Sequence, residues 1–410
     1  MRREILAGLS TFFTMAYLLL LYPKILSEGG LDFGSALTAT IATIVLSTLF
    51  LAFYAHFPVV LAPGLSIGPF LIYSVILKQH ATWQTALGIV FWAGLVIFLL
   101  SLFKVRQKIL LYLPPSIKSA AIGGIGLFLI CVGLKDLGIF SGHLATIPNG
   151  IALFGLLLFF TLYYFRIDGS FLIAILACWL GAIPFGLVSW NGFAALPPSI
   201  APTLFQLDLF TPLQPQWLGI ILSIILICLF DTSASLTVLA KLAGKMDERG
   251  RIKNIDRIVI PDGIGSMAAA LLGTGTLAFT LESSSGIKAG GRTKTTAIVA
   301  ALCCLAGLFL YPLISSIPLF ATVPILIAIG IFMAQEVKGI RWLEWTESIP
   351  ALITLITIPI TFSIYQGFAY GFVSFTLLKA LKGQWKEVHP VCWALALIFA
   401  AHLIWTLFSL

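Results

Sequence analysis

Three carboxylates in this sequence, Asp231, Asp262 and Glu282, fall within long apolar stretches. Placing a charged side chain at the centre of a lipid bilayer costs about 2.5–3.5 kcal/mol or more unless it faces protein or water. Acids in that setting therefore point to a polar ligand or a proton to be carried. Asp231 follows WLGIILSIILICLF, about fourteen residues, or roughly 21 Å of helical rise, from the start of its run. Glu282 stands in GTGTLAFTLESSSGIKAGGRT, surrounded by glycines and hydroxyl side chains. The structural alternative for both is satisfaction by the neighbouring Thr232, Ser233, Ser283 and Ser284. Asp262, in VIPDGIGS, follows a proline at the start of its run and reads as a helix N-cap. The five histidines fall at run ends, in loops or in the last run, which leaves proton handling to carboxylates.

Other chemistry finds little support. No Ser/His/Asp grouping and no metal-ligand spacing occurs, so neither an enzyme nor a cofactor or metal site is expected. Cys131, Cys178, Cys228, Cys303, Cys304 and Cys392 all lie inside hydrophobic runs without a CxxC pair and read as small core residues. GGRTKT from Gly290 lacks the spacing of a phosphate loop, and GGIG from Gly123 lies inside a run, where small residues favour helix packing.

The elements that must position the acids follow from composition. The chain has 410 residues, 60% hydrophobic and 10% charged, with a mean hydropathy of +1.06. That is an integral membrane protein, with no soluble domain. Fourteen apolar spans are expected at 5–22, 35–55, 57–78, 82–103, 115–134, 149–165, 169–187, 217–239, 258–272, 274–289, 295–314, 319–336, 348–364 and 366–381. A further run at 391–410 fits either a fifteenth crossing or a surface-lying helix. The first span has no cleavage site and is not a signal peptide. With the N-terminus cytoplasmic, all of the 24 basic residues except Lys24, Lys78 and Lys135 fall on the inside. The net charge of +8 thus reports topology by the positive-inside rule, not binding of nucleic acid.

Two spans are poor continuous helices. LAPGLSIGPF packs Pro63, Gly64, Gly68 and Pro69 into one short stretch, and the segment around 275 is rich in Gly, Thr and Ser. Each is the third span of a seven-span half and follows an Ala-rich span. Paired interruptions of this kind mark an inverted-repeat transporter with its site at mid-membrane.

At this point the residues resemble a known family. AGLSTFFTMAYLLLLYPKIL, LAPGLSIGPF, LFDTSASL, DGIGSMAAALLGTGTLAFTLESSSGIKAGGRT and EVHP, in register over essentially the whole chain, are similar to the hypoxanthine/guanine permease branch of the nucleobase transporters, the xanthine/uracil permease family. The resemblance implies an all-α membrane protein with a uracil-permease-like fold: two inverted repeats of seven spans, with spans 3 and 10 interrupted. It implies a core domain at 1–103 and 217–314, a gate domain at 104–190 and 318–382, and an appended segment at 391–410. It also implies proton-coupled uptake of purine bases (hypoxanthine, guanine or adenine) across the plasma membrane, the inner membrane of a bacterium, by movement of core against gate. Asp231 and Glu282 would contact the base and handle the proton. Gly64, Ser66, Thr232 and Ser283 would stand beside them, and Phe12 and Phe279 would offer ring faces, with Phe13 and Tyr17 as further aromatic candidates. The expected partners are the base, the coupling proton and the lipid bilayer, and a homodimer is compatible with the resemblance. Uracil or xanthine transport, or an anion carrier of the same fold, are the alternatives. The sequence departs from the family where it has Gly68 for the usual Asn, Tyr22-Pro23 for Asn-Pro, and Ala234-Ser235 for Gly-Thr.

Overall fold

The computed structural model describes the chain except residues 140–145, 191, 248–250 and 409–410. His143 and Arg249, both counted above in placing charges and histidines, lie outside the described residues.

Helices dominate because hydrocarbon offers backbone N–H and C=O groups no partner, so each segment must bond itself. Span 1 is two helices, Arg2–Met15 and Tyr17–Glu28, meeting at Ala16, and it runs one and a half turns beyond its expected end. Spans 2, 4, 5 and 6 are Phe33–Tyr54, Trp83–Leu102, Pro115–Asp136 and Ile147–Tyr164, with span 7 at Ser170–Ala182. A short linker helix, Arg106–Tyr112, precedes span 5. Spans 8, 9 and 11 are Pro215–Leu242, Ile255–Leu272 and Lys294–Gly307, the last extended to Ser316 through a tight turn. Spans 12, 13 and 14 are Val323–Ala334, Trp345–Thr361 and Ile364–Leu381, and a terminal helix, Pro390–Phe408, packs against spans 8 and 14.

Spans 3 and 10 are interrupted as their Gly/Pro and Gly/Ser/Thr content requires, and the interruptions are strands. β1 (Leu61–Pro63) pairs antiparallel with β2 (Leu277–Phe279), in the register Leu61 with Phe279 and Pro63 with Leu277. Pairing satisfies the unwound backbone that lipid would otherwise leave orphaned. The outer edges are closed by hydroxyls: Thr48 Oγ1 accepts from Leu61 N at 3.1 Å, and Ser266 Oγ accepts from Leu277 N at 3.0 Å. Thr48 is on span 2 and Ser266 on span 9, equivalent positions in the two halves. Beyond β1, span 3 resumes at Ile67–Pro69 and widens into a π-helix over Phe70–Lys78; beyond β2, span 10 resumes at Ser283–Lys288.

Lipid is as apolar as a helix face, so close packing rather than water exclusion holds such helices together. At the contact of spans 5 and 12, a Cβ on Gly126 would lie 2.5 Å from Gly330 O, and one on Gly330 would lie 2.6 Å from Gly126 O. GGIG is therefore a packing motif, as its place in a span suggests. Spans 4 and 9 meet as closely, with Gly263 flush against the backbone of Phe98.

One expectation is corrected. Asp262 is not a cap: span 9 begins at Ile255 after the left-handed Asn254, and Asp262 lies inside the helix with Pro261, 1% exposed. Arg106, counted among the basic residues of the cytoplasmic side, turns inward, with its side chain 2% exposed and ion-paired with Asp262. In GGRTKT, Arg292 Nη1 donates to the carbonyl of Leu242, and Glu4 accepts from Arg292 N and Thr296 Oγ1, so this stretch clasps three spans together.

Candidate functional site

The β1–β2 pair sets its flanking turns against the middle of span 8, and a cavity of about 540 Å³ opens there. That volume lies in the usual range of small-molecule sites. One wall carries Gly64 and Ser66 from the turn after β1, Asp231 from span 8, and Phe279 and Glu282 from β2 and the turn after it. The facing wall is largely apolar, with Ile122, Phe171 and Phe332 from spans 5, 7 and 12.

Both acids reach this cavity, although they lie 51 residues apart in sequence. Ser66 Oγ donates to Asp231 Oδ2 at 3.2 Å, and Tyr17 Oη donates to Glu282 Oε1 at 2.5 Å. A carboxylate offers about four lone-pair positions, so one side-chain donor at each acid among the described residues leaves acceptor capacity for a ligand in the cavity. Gly64 keeps the approach open: a Cβ there would stand 3.6 Å from Asp231 Oδ2. Phe171, from the facing wall, stacks on the Tyr17 ring with centroids 4.7 Å apart and planes at 24°. The arrangement presents acceptors at one edge and ring faces at another, which suits a flat ligand bearing N–H donors.

Of the expected site residues, Asp231, Glu282, Gly64, Ser66 and Phe279 come together on the cavity wall, joined by Tyr17. Three do not line it. Thr232 points to the far side of span 8 and donates to Asp262 Oδ2 at 3.1 Å. Ser283 is buried under the strands, where its Oγ accepts from Val60 N at 3.1 Å, and the neighbouring Ser284 lines the cavity instead. Phe12 packs against Phe13 and the apolar core, away from the acids. A one-residue step along a helix turns a side chain by about 100°, which is why neighbours of the acids in sequence need not be neighbours in the site. Tyr17 was legible as an aromatic face but not as the donor to Glu282. Glu336, at the cavity mouth, carried no signal because it looks like an ordinary span-end acid.

Comparison with known proteins bears on this arrangement. A family model described as Permease family, the xanthine/uracil permease model, matches residues 2–370. A putative permease of Methanocaldococcus jannaschii is 39% identical, covering 98% of this chain and 94% of its own. The adenine permease AdeQ of Escherichia coli is 32% identical over 98% of this chain and 93% of its own. The guanine/hypoxanthine permease PbuO of Bacillus subtilis is 32% identical over 97% and 96%. Among solved structures, the transmembrane domain of the cyanobacterial bicarbonate transporter BicA superposes with a TM-score of 0.67 at 16% identity, covering 89% of this chain and 96% of its own. Murine Slc26a9, an anion transporter, gives 0.69 at 13% identity over 93% and 69%. At those identities the two structures establish the shared uracil-permease-like fold alone. With sequence similarity running along nearly its whole length, and with many apolar helices built around paired broken spans, the chain is a multi-pass membrane protein that belongs to the xanthine/uracil permease family, a family of permeases rather than enzymes.

Proposed function

We propose that this protein is a secondary active transporter that takes up purine nucleobases together with protons, with its N-terminus on the cytoplasmic side of the plasma membrane. The observation that carries the reading is the convergence of Asp231 and Glu282 on one cavity, each with a single side-chain donor among the described residues. A purine edge presents N–H donors that such acceptors bind, and a carboxylate at membrane depth is the natural carrier of a coupled proton. The relatives named for adenine and for guanine and hypoxanthine support the substrate class.

In this reading, spans 1–4 and 8–11 form a core that holds the base, and spans 5–7 and 12–14 form a gate against which it moves. Where it lines the cavity, the facing wall is largely apolar, so the core supplies most of the polar bonds to the base and can carry it past the gate. Two carboxylates disfavour an anionic cargo, despite the anion transporters that share the fold. The test is uptake of radiolabelled adenine, guanine, hypoxanthine and uracil by cells lacking their own nucleobase permeases, with and without a protonophore. Accumulation of a purine that collapses with the protonophore is the expected result. Accumulation of uracil alone, or uptake indifferent to the protonophore, would overturn the substrate or the coupling respectively.

A further inference from the structure

The ion pair between Arg106 and Asp262 is the one pair among the described residues in which both side chains are almost fully buried, at 2% and 1% exposed. Arg106 opens the linker helix between spans 4 and 5, and its guanidinium turns inward. Nη2 lies 2.7 Å from Asp262 Oδ2 on span 9, and Nη1 lies 3.4 Å from Ser101 Oγ on span 4. The same Asp262 oxygen accepts from Thr232 Oγ1, the residue next to Asp231 on span 8. Asp262 Oδ1 has no hydrogen-bond partner among the described residues.

This is an expensive way to hold helices together. Taking two charges out of water costs several kcal/mol per ion, and well-packed apolar residues of similar volume usually stabilise as well or better. Spans 4 and 9 already interlock through Gly263 and Phe98 without the pair. A role other than stability is therefore called for, and the chain of contacts points to Asp231.

We propose that Arg106 is a positioning residue for the transport site: acting through Asp262 and Thr232, it fixes the turn of span 8 that bears Asp231 and balances the negative charge behind it. Asp262 stands on the opposite side of Thr232 from the cavity. Left unpaired, its carboxylate would oppose a second negative charge on Asp231, because like charges in a low-dielectric interior repel over several ångströms. With Arg106 in place, the charge of Asp262 is largely balanced, and Asp231 can release and regain its proton against less opposition. The other groups facing Asp231 are Glu282, which carries a donor in Tyr17, the Ser66 hydroxyl, the thiol of Cys228 one turn earlier on span 8, and Glu336 across the cavity at its mouth. Among these, Arg106 supplies the only positive charge. The linker helix that leads into span 5 is thereby tied to the helix that bears the site.

The proposal rests on Asp231 being the proton-handling acid, and its test is chosen to read that proton without substrate. Infrared difference spectra of the purified full-length protein are recorded as a function of pH, with the Asp231 carboxyl band assigned by its loss in Asp231→Asn. Arg106→Gln should move the titration of that band to higher pH by on the order of one unit. Asp262→Asn, which leaves the guanidinium unpaired, should move it to lower pH. The double variant Arg106→Gln/Asp262→Asn should return it close to wild type, and because it removes both buried charges it keeps the comparison readable should Arg106→Gln alone fail to fold. Arg106→Lys keeps the charge and should keep the titration. Coincident titrations in wild type, Asp262→Asn and the double variant would overturn the proposal and leave the pair a structural clamp. Failure of the nucleobase reading would show instead as absent uptake by the wild-type protein, with these titrations unaffected.

Discussion

Tyr22 occupies the space that a side chain at position 68 would need. A Cβ built on Gly68 would lie 2.6 Å from Tyr22 Cε2, and one on Gly275 would lie 2.1 Å from Tyr22 Oη. The ring, fully buried, wedges between the two broken spans from the side away from the cavity. The family's usual amides at both positions, Asn-Pro in span 1 and Asn in span 3, are thus replaced here by one large and one absent side chain that fit each other.

This fit is expected to show as coupling. Gly68→Asn alone overpacks the site and should destabilise by about 1–3 kcal/mol, while Tyr22→Asn leaves a void and should cost about 3–5 kcal/mol. The double change should cost less than the sum, by about 0.5–3 kcal/mol. Melting temperatures of the three purified variants check this, and simple additivity would show that the two positions do not compensate.

The sequence showed both departures but not that they answer each other, because they are 46 residues apart and each looks like an isolated loss. The same limit explains other gaps. Spans 3 and 10 declare their interruption in their own Gly, Pro, Ser and Thr content, whereas the pairing of Leu61–Pro63 with Leu277–Phe279 is a contact between halves that no local pattern encodes. Pro-Asp-Gly at Asp262 looks like a helix start, and only the packing of spans 4, 8 and 9 shows it inside a helix. Arg106 sits in a run of loop-like basic residues, and nothing local marks it as the one that turns inward. What was legible, the acids and the broken spans, was legible because lipid makes both so costly that they need a reason.

The contact of spans 5 and 12 leaves no room at Gly126, where the obstructing atoms are backbone and cannot yield. Gly126→Leu should therefore lower stability by about 1–3 kcal/mol. Gly150, with nothing within 4 Å of its missing side chain, is the matched control, and Gly150→Leu should melt with the wild type. Equal melting of both variants would remove the close approach as a determinant of packing.

The distribution of basic residues implies a fixed orientation. Arg251 lies in the loop between spans 8 and 9, and the exposed Phe193 lies in the segment between spans 7 and 8. A cysteine at Phe193 should react with an impermeant thiol reagent added to intact cells, and one at Arg251 should react only after permeabilisation. The reverse pattern would invert the topology.

Asp231 is expected to carry coupling as well as contact. Asp231→Asn keeps shape and loses the charge, so uphill accumulation should disappear while the protein still reaches the membrane. Counterflow, which needs binding but no net proton movement, separates the two roles: retained counterflow without accumulation assigns the proton to Asp231. Full accumulation by the variant would take Asp231 out of the mechanism.

Glu282 is expected to choose the base. Its carboxylate receives a hydrogen bond from Tyr17 and lines the cavity, so a ligand edge must donate to its remaining acceptor capacity or leave that capacity unmet in a desolvated site. A site built to accept hydrogen bonds discriminates strongly against ligands that cannot give them. Glu282→Gln replaces one acceptor oxygen with a donor, so affinity should fall for bases that present N–H groups and fall less, or rise, for one that presents an acceptor there. Tyr17→Phe removes the donor that orients the carboxylate while leaving its charge, so it should weaken all bases by about 0.5–3 kcal/mol with their ranking kept. Titration calorimetry with adenine, guanine, hypoxanthine and uracil on the two purified variants distinguishes these outcomes. If Glu282→Gln weakens every base equally, in the manner expected of Tyr17→Phe, Glu282 supports the site without reading the ligand.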